Sequence, residues 1–288
     1  MNFCIVTPCL NAERYIERTM HSVIKQTALS AGDGSIFLEY IICDGGSTDA
    51  TLAIAERIAH DFSSMVDSIS IRVHSESDSG MYDAIAKGFQ RAAVADIYAY
   101  VNAGDYYAPH ALEILDEVFS ISCVEFVTGF DVVYNEQEHM VSCRLPYGYS
   151  RRLIDKGFYG GLLPHIQQES TFWSASLHKR IDFDRLRRFK LAGDAYLWSV
   201  FSQHANLYVV SAWLAGFTIH VGQLSQIRAE SYREEHLSIC RRPRFLDFLL
   251  AARFLMANYL PDAIKVALSS HLIAYDHSSG EYRVRGDR

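Results

Sequence analysis

Tyr40–Ala59, YIICDGGSTDATLAIAERIA, begins as a continuous apolar run and ends with apolar residues at helical spacing. That change of period marks a buried strand running into an amphipathic helix, the repeating unit of an α/β fold. The junction holds Asp44, Gly45, Gly46, Ser47, Thr48 and Asp49, with no lysine or arginine. It therefore does not read as a phosphate cradle of the usual kind. Its role depends on what else in the chain reaches the same place.

Outward from this junction the alternation repeats. FCIVTP, LEYIICD, SIRVH and DIYAYVN read as strands, and Ala12–Gln26, Ala50–Phe62 and Met81–Val94 as helices between them. Strands that are apolar throughout fit a parallel sheet covered by helices on both faces. The fold class is α/β, a doubly wound, mostly parallel, Rossmann-like sheet. Such sheets bind ligands beyond the carboxyl ends of their strands. There stand Thr7, Pro8 and Asn11, then Asp44 to Asp49, then Glu76, Asp78 and Gly80, then Asn102 to Asp105. One acid after a strand is often only a helix cap, but four polar ends converge on one rim.

Past Pro109 the pattern loosens. A helix over His110–Phe119 precedes the strand-like runs VEFVTGFDVVY and HMVSCRL, a Gly- and Tyr-rich loop, STFWSASLHKRI, AGDAYLW, NLYVVSAW and GFTIHVG. From Ile227 the hydrophobic period predicts helix. We expect residues 1–226 to form the main domain, with halves 1–108 and 109–226, and residues 227–288 a helical C-terminal tail.

At 288 residues, 49% hydrophobic and 21% charged, the chain is long enough to bury a sizeable core. Its net charge of −7 argues against a nucleic-acid binder. An acidic enzyme acting on a phosphorylated substrate is expected to use a divalent cation. The six cysteines show no zinc-type spacing and read as small core residues of a reducing compartment. The first strand begins too early for a signal peptide, and no apolar run reaches the ~20 residues of a membrane span, so the expected location is cytoplasmic.

Four segments in order, IVTPCLNAERYIERTMHSVIKQ, EYIICDGGSTDAT, ESDSGMYDAIAKGFQRA and YVNAGDYY, resemble the nucleotide-sugar-binding half of the family 2 glycosyltransferases, which have the GT-A fold. QQESTFW, LAGDAYLW and GFTIHVGQLS are similar to acceptor-side motifs of a bacterial, surface-polysaccharide branch of that family. The resemblance runs from Asn2 to about Ser225. It implies that Asp44 accepts a hydrogen bond from the nucleotide base, with Thr7 and Pro8 shaping the turn beneath it. The two glycines let the backbone approach the ligand, while Asp49 reads as a helix cap. Asp78 and Gly80 match the loop over the nucleotide, and Asp83 the region of the ribose and diphosphate. Lys87 is explained by an i, i+4 ion pair with Asp83.

The familiar pair of acids flanking one residue is replaced here by Asn102, Ala103 and Gly104 ahead of a lone Asp105. By resemblance Asp105 holds Mn2+ or Mg2+, and His220 completes the metal site or meets the diphosphate. One carboxylate can hold such a cation if the diphosphate and waters supply the remaining oxygens. Asp194 matches the catalytic base, and Gly193 leaves room for an acceptor. Gln168, Glu169 and Trp173 match the segment lining the sugar and acceptor cleft, with core packing an open alternative for Trp173.

The implied activity is inverting transfer of a sugar from a nucleotide sugar, UDP-sugars favoured, to a hydroxyl of a glycan or lipid-linked glycan. Uracil, guanine and thymine each offer the ring N–H that Asp44 would meet. Two rivals share these residues. A sugar nucleotidyltransferase would carry a glycine-rich, basic loop after the first strand, which TPCLNAERY lacks. A non-catalytic glycan-binding relative is opposed by Asp105, Asp194 and His220 together, but favoured by Asn102. In the tail, Arg241, Arg242 and Arg244 precede a helix expected to place Phe245, Phe248, Leu249, Ala252 and Leu255 on one side. That side packs on the protein itself, forms a homodimer, or meets anionic lipid as a peripheral membrane contact.

Overall fold

The computed structural model describes residues 1–30, 34–63, 66–219, 229–269 and 271–285. The expected alternation is present: β1 (Asn2–Cys9), α1 (Ile16–Ile24), a short α2 (Thr27–Ser30), β2 (Phe37–Asp44), α3 (Thr51–Ser63), β3 (Ile69–Ser75), α4 (Met81–Arg91) and β4 (Ile97–Tyr100). These four strands are parallel, in the order β4-β1-β2-β3. Cys9 lies opposite Asp44 and Asp44 opposite Ser75, so three strands end level on one rim.

Within these strands neighbouring side chains go to opposite faces, as the two-residue period requires. Cys4, Val6, Ile41 and Cys43 pack with Ile85 and Phe89 of α4. Phe3, Ile5, Leu38, Tyr40 and Ile42 pack with Ile16 and Met20 of α1 and Ala55 and Ile58 of α3. Helices cover both faces, which is why the strands are apolar throughout.

The second half continues with β5 (Tyr106–Tyr107), α5 (Ala111–Phe119), β6 (Phe126–Thr128), β7 (Asp131–Tyr134), β8 (Met140–Arg144), α6 (Arg151–Asp155), β9 (Thr171–Ser174), α7 (Ala175–His178), α8 (Phe183–Leu186), α9 (Gly193–Ser202), β10 (Tyr208–Val210) and β11 (Ala215–Thr218). The strand-like run from Val124 to Tyr134 is two strands serving two sheets. β6 joins the large sheet, ordered β13-β12-β10-β6-β9-β4-β1-β2-β3, and β7 a small one, β5-β11-β7-β8.

The tail holds three helices, Ala229–Ile239, Phe245–Asn258 and Asp262–Leu268. Beyond them helix gives way to a hairpin, β12 (Leu272–Asp276) and β13 (Glu281–Val284). β12 lies parallel to β10 with Val209 opposite Leu272, so residues 272–284 complete the edge of the large sheet. Leu272, Ile273 and Ala274 are buried by that pairing, a long-range partner invisible to a local helical count. Of the cysteines, Cys4, Cys9 and Cys43 are buried as expected, while Cys123 and Cys143 are exposed and Cys240 half-buried.

Candidate active site

The loops after β1 and β2 are stitched together. Thr48 N donates to Asn11 Oδ1 at 2.9 Å, Asn11 N to Ser47 Oγ at 2.8 Å, and Ala12 N to Thr51 Oγ1 at 2.7 Å. Asp49 accepts from Thr51 N at 3.0 Å and so holds the start of α3. Asp44 is buried. Its carboxylate accepts from Ser75 Oγ (2.6 Å), Ser47 N (3.1 Å), Gly46 N (3.2 Å) and the Ser47 hydroxyl. Thr7 is also buried, and its hydroxyl bonds Tyr40 at 2.9 Å rather than facing the rim. Pro8 is buried beside it, opposite Cys43. A Cβ at Gly45 would lie 2.6 Å from Asp78 Oδ2, so a larger residue there would push the Asp78 carboxylate aside.

Asp78 accepts from Gly80 N at 2.8 Å, closing the loop into α4. Asp83 accepts from Ser79 N at 2.9 Å and meets Lys87 Nζ at 3.4 Å and Arg187 Nε at 3.8 Å. Burial opposes its ionisation, but the Ser79 N–H and the Lys87 ammonium outweigh it and hold its carboxyl below the usual range. The i, i+4 pair with Lys87 is present, and Lys87 also bonds Ser77 O at 3.0 Å. Lys190 adds a second ammonium over this loop, bonded to Ser79 O.

The Asn102–Asp105 turn lies deeper. Gly104 N and Asp105 O are both held by Thr19 Oγ1 at 2.9 Å. Ala103, just before them in the chain, is half-buried. Asp105 is buried, with Oδ1 accepting from Thr218 N of β11 at 2.9 Å. Gln168 ties the turn to β4: its Nε2 donates to Tyr100 O at 2.5 Å and its Oε1 accepts from Asn102 Nδ2 at 3.1 Å. Glu169 is buried close enough to Asp105 for their charges to interact. Burial first, and then the Asp105 charge, push the Glu169 carboxyl well above its ordinary value. Burial likewise raises Asp105, opposed by the Thr218 N–H and the Asn102 amide.

Glu169 Oε1 and Asn102 Oδ1 are buried and find no hydrogen-bond partner among the described residues. Two coupled buried carboxylates beside unpartnered oxygens form a hard donor set that suits Mg2+ or Mn2+. Among the described residues no group of three or more His, Cys, Asp or Glu side chains forms a metal cage, so further ligands must come from the substrate, water or elsewhere. His220 lies outside the described residues.

Asp194 sits in the first turn of α9, half-buried, with Oδ1 accepting from Ala195 N at 2.8 Å and from Tyr82 OH at 3.3 Å. Burial pushes its carboxyl up to about 6, against the pull of those two hydrogen bonds. Gly193 does not open space for an acceptor. A Cβ there would lie 2.4 Å from the Tyr82 ring, so the glycine is needed for α4 and α9 to meet. Trp173 is corrected as well. It is fully buried against Phe89, Tyr100 and Trp198 and offers no face to a sugar.

The structure thus brings Asp44 and Asp78 together across Gly45, and Asp105, Asn102, Gln168 and Glu169 together behind them. Asp194 joins α4 through Tyr82. Three contributors were missed in the sequence: Tyr82, Lys190 and Glu235, the last of which accepts from the backbone ahead of α9. Tyr82 lies inside ESDSGMYDAIAKGFQRA, where the resemblance gives it no role. Nothing local distinguishes Glu235 from its neighbour Glu234.

A mixed sheet with parallel strands ending on an acidic rim, flanked by a smaller sheet, is the architecture of GT-A glycosyltransferases. A family model described as Glycosyl transferase family 2 matches residues 4–180, more than half of the chain, and the chain belongs to that family. It is similar to a PGL/p-HBAD biosynthesis glycosyltransferase of Mycobacterium tuberculosis, 33% identical over 90 residues, 31% of this chain and 30% of that protein. It is also similar to an uncharacterized glycosyltransferase of Nostoc sp., 27% identical over 124 residues, 43% of this chain and 34% of that protein. The matches therefore span about a third of these curated relatives.

Among solved structures, S. aureus TarS 1–349 in complex with UDP-GlcNAc superposes with a TM-score of 0.59 at 17% identity, covering 92% of this chain and 70% of that one. A mannosyltransferase from Pyrobaculum calidifontis in complex with GDP-Man and Mn2+ gives 0.54 at 13% identity, covering 92% and 74%. At these identities the likeness is one of fold.

Proposed function

We propose that this glycosyltransferase inverts: it moves a sugar from a nucleoside-diphosphate sugar, UDP-sugars first, to a hydroxyl of a glycan or lipid-linked glycan. The observation that carries the reading is Asp194, a half-buried carboxylate at the head of α9 whose proton affinity is raised toward neutrality. Asp194 takes the acceptor proton as the acceptor oxygen bonds the anomeric carbon, and the bond to the nucleoside diphosphate breaks with its electron pair leaving on phosphate oxygen. No covalent enzyme intermediate is required. Asp44 meets the base with a carboxylate fixed by Ser47, Gly46 and Ser75, while Asp78, Gly80 and Asp83 form the loop beside the nucleotide. Asp105 and Glu169 would hold Mn2+ or Mg2+, with His220 the further ligand that the family resemblance implies. When bound, the ion offsets charge on the departing diphosphate. The acidic rim also tolerates positive charge developing on the sugar.

A panel of UDP-, GDP- and dTDP-sugars tested by thermal shift with and without Mn2+ addresses donor choice. A UDP-sugar should raise Tm most, and only with metal. Absence of any shift or nucleotide release across the panel would favour the non-catalytic alternative. Pyrophosphate release from a nucleoside triphosphate and a sugar phosphate would favour the nucleotidyltransferase.

We also place the outer side of the Phe245–Asn258 helix on anionic lipid. The expected apolar stripe does not face the core as a unit: the helix buries Asp247, Ala251 and Ala257, and Asp247 pairs with Arg152. Phe245, Leu246, Phe248, Leu249 and Met256 are exposed, as is Ala252, and Leu255 is half-buried. An apolar helix half out of a fold calls for an occupant. From 241 to 268 there are five basic residues, Arg241, Arg242, Arg244, Arg253 and Lys265, against two acids, in a chain of net charge −7. No described helix is long and apolar enough to cross a membrane. Binding to vesicles with anionic lipid should weaken with salt and drop when the three clustered arginines become glutamine. Indifference to vesicles at low salt, with dimers in sedimentation, would assign this side to assembly. Truncation before Arg241 cannot serve as the test, since it also removes β12 and β13.

A further inference from the structure

We propose that Glu235, reaching in from the Ala229–Ile239 helix, is a positioning residue for Asp194; this rests on the reading of Asp194 as the base. Three successive backbone donors converge on its carboxylate. Lys190 N lies 3.0 Å from Oε1, and Leu191 N and Ala192 N lie 2.8 and 3.0 Å from Oε2. Ala192, at the head of α9, receives no side-chain cap from its own residue, so a distant helix supplies the acceptor that this end lacks. The segment from Lys190 to Asp194 is also pinned from the other side, by α4 and the loop before it. Tyr82 OH donates to Leu191 O at 3.3 Å and to Asp194 Oδ1, and the Lys190 ammonium bonds Ser79 O. The segment carrying the base is thus held between α4 and a helix that lies beyond residue 180, where the family match ends.

Glu235 has a second effect, through charge. Of the side chains around Asp194, Tyr82 of α4 donates to it and Glu235 of the tail helix adds charge, while Tyr100 of β4, Glu169 before β9 and Tyr232 of the tail helix lie close enough to feel the Asp194 charge. Among these the carboxylate of Glu235 adds negative charge that favours the protonated form of Asp194, on top of the larger effect of burial. Removing that charge lowers the proton affinity of the base. Removing the acceptor frees the loop that aims it.

Glu235→Gln tests both effects, because it keeps the length of the side chain, removes its charge and leaves one neutral acceptor oxygen, with an NH2 group in place of the oxygen beside Lys190 N. The expected result is a kcat lower by ~10- to ~100-fold with donor KM changed less than about twofold, since misaiming costs chemistry more than binding. The acid limb of the kcat profile should also move to lower pH than in the parent. Hydrogen exchange supplies a readout that needs no turnover: amides 190–192 should lose protection while β1 and β2 keep theirs. Glu235→Asp should recover part of the rate, and Glu234→Gln, on the exposed side, should match the parent.

A Glu235→Gln enzyme with parental kcat, limb and exchange, or one that loses only Tm, overturns the proposal. Asp194→Asn run in parallel separates the two failures. If Asp194→Asn keeps its activity, the base assignment is lost. If it is inactive while Glu235→Gln is normal, only the role of Glu235 is lost.

Discussion

Asp194→Asn should slow sugar transfer by ~100-fold or more while leaving donor affinity within about twofold of the parent. Asparagine fits the same space and can still accept from Ala195 N and Tyr82 OH, so the head of α9 should keep its shape. What it cannot do is take a proton. An ordinary carboxylate is a feeble base toward a sugar hydroxyl. Burial raises Asp194 from 3.8 to about 6, which is about a hundredfold in proton affinity. The sign of the pH dependence follows. Below about 6 the parent carboxyl already holds a proton and cannot accept another, so transfer should rise as pH passes through about 6 and flatten above it. The residual rate of the asparagine variant should show no such limb. Transfer at the parental rate, or an unchanged limb in the variant, would move the base elsewhere on the rim.

The sequence made the first third of the fold legible because its strands are apolar on both faces and its helices amphipathic, both local signals. The rim was legible for the same reason: in a parallel sheet whatever follows a strand reaches the same edge. What escaped was set by distant partners. LIAYDHSSGEYRV was counted into a helical tail, although its strands are fixed by Val209 and Val210, some sixty residues earlier. Trp173 and Gly193 sit in recognisable motifs, yet each meets core: Trp173 the aromatic cluster around Phe89, Gly193 the ring of Tyr82. A motif says which residues gather, not which way each one points. Glu169 was assigned to the sugar cleft for the same reason, whereas burial sets it against Asp105. Glu235 gave no local signal, since SYREEHL reads as a solvated helix and only the packed structure turns one of its two glutamates toward α9.

Chelation should abolish transfer, and Asp105→Asn should remove the response to metal without unfolding the protein. Two carboxylates both raised by burial, one of them raised further by the charge of the other, cannot both ionise cheaply unless something positive joins them. Among the described residues no lysine or arginine is paired with Asp105 or Glu169. A divalent cation would meet both charges and the orphaned Glu169 Oε1 and Asn102 Oδ1 at once. Mn2+ should therefore raise the Tm of the parent even without donor, and raise its affinity for nucleoside diphosphate by ~10-fold or more. Asp105→Ala would strip the acceptor from Thr218 N and cost roughly 1–3 kcal/mol for that buried donor alone. Asparagine keeps an acceptor for it and removes only the charge, so it is the cleaner variant. With Asp105→Asn the metal-free Tm should stay near or above that of the parent, the Mn2+ shift should vanish, and nucleoside diphosphate should bind equally with and without metal. Full transfer after EDTA treatment would take the cation out of the mechanism and leave Lys87, Lys190 and Arg187, which stand at the Asp78–Asp83 loop, as the groups to neutralise the departing diphosphate.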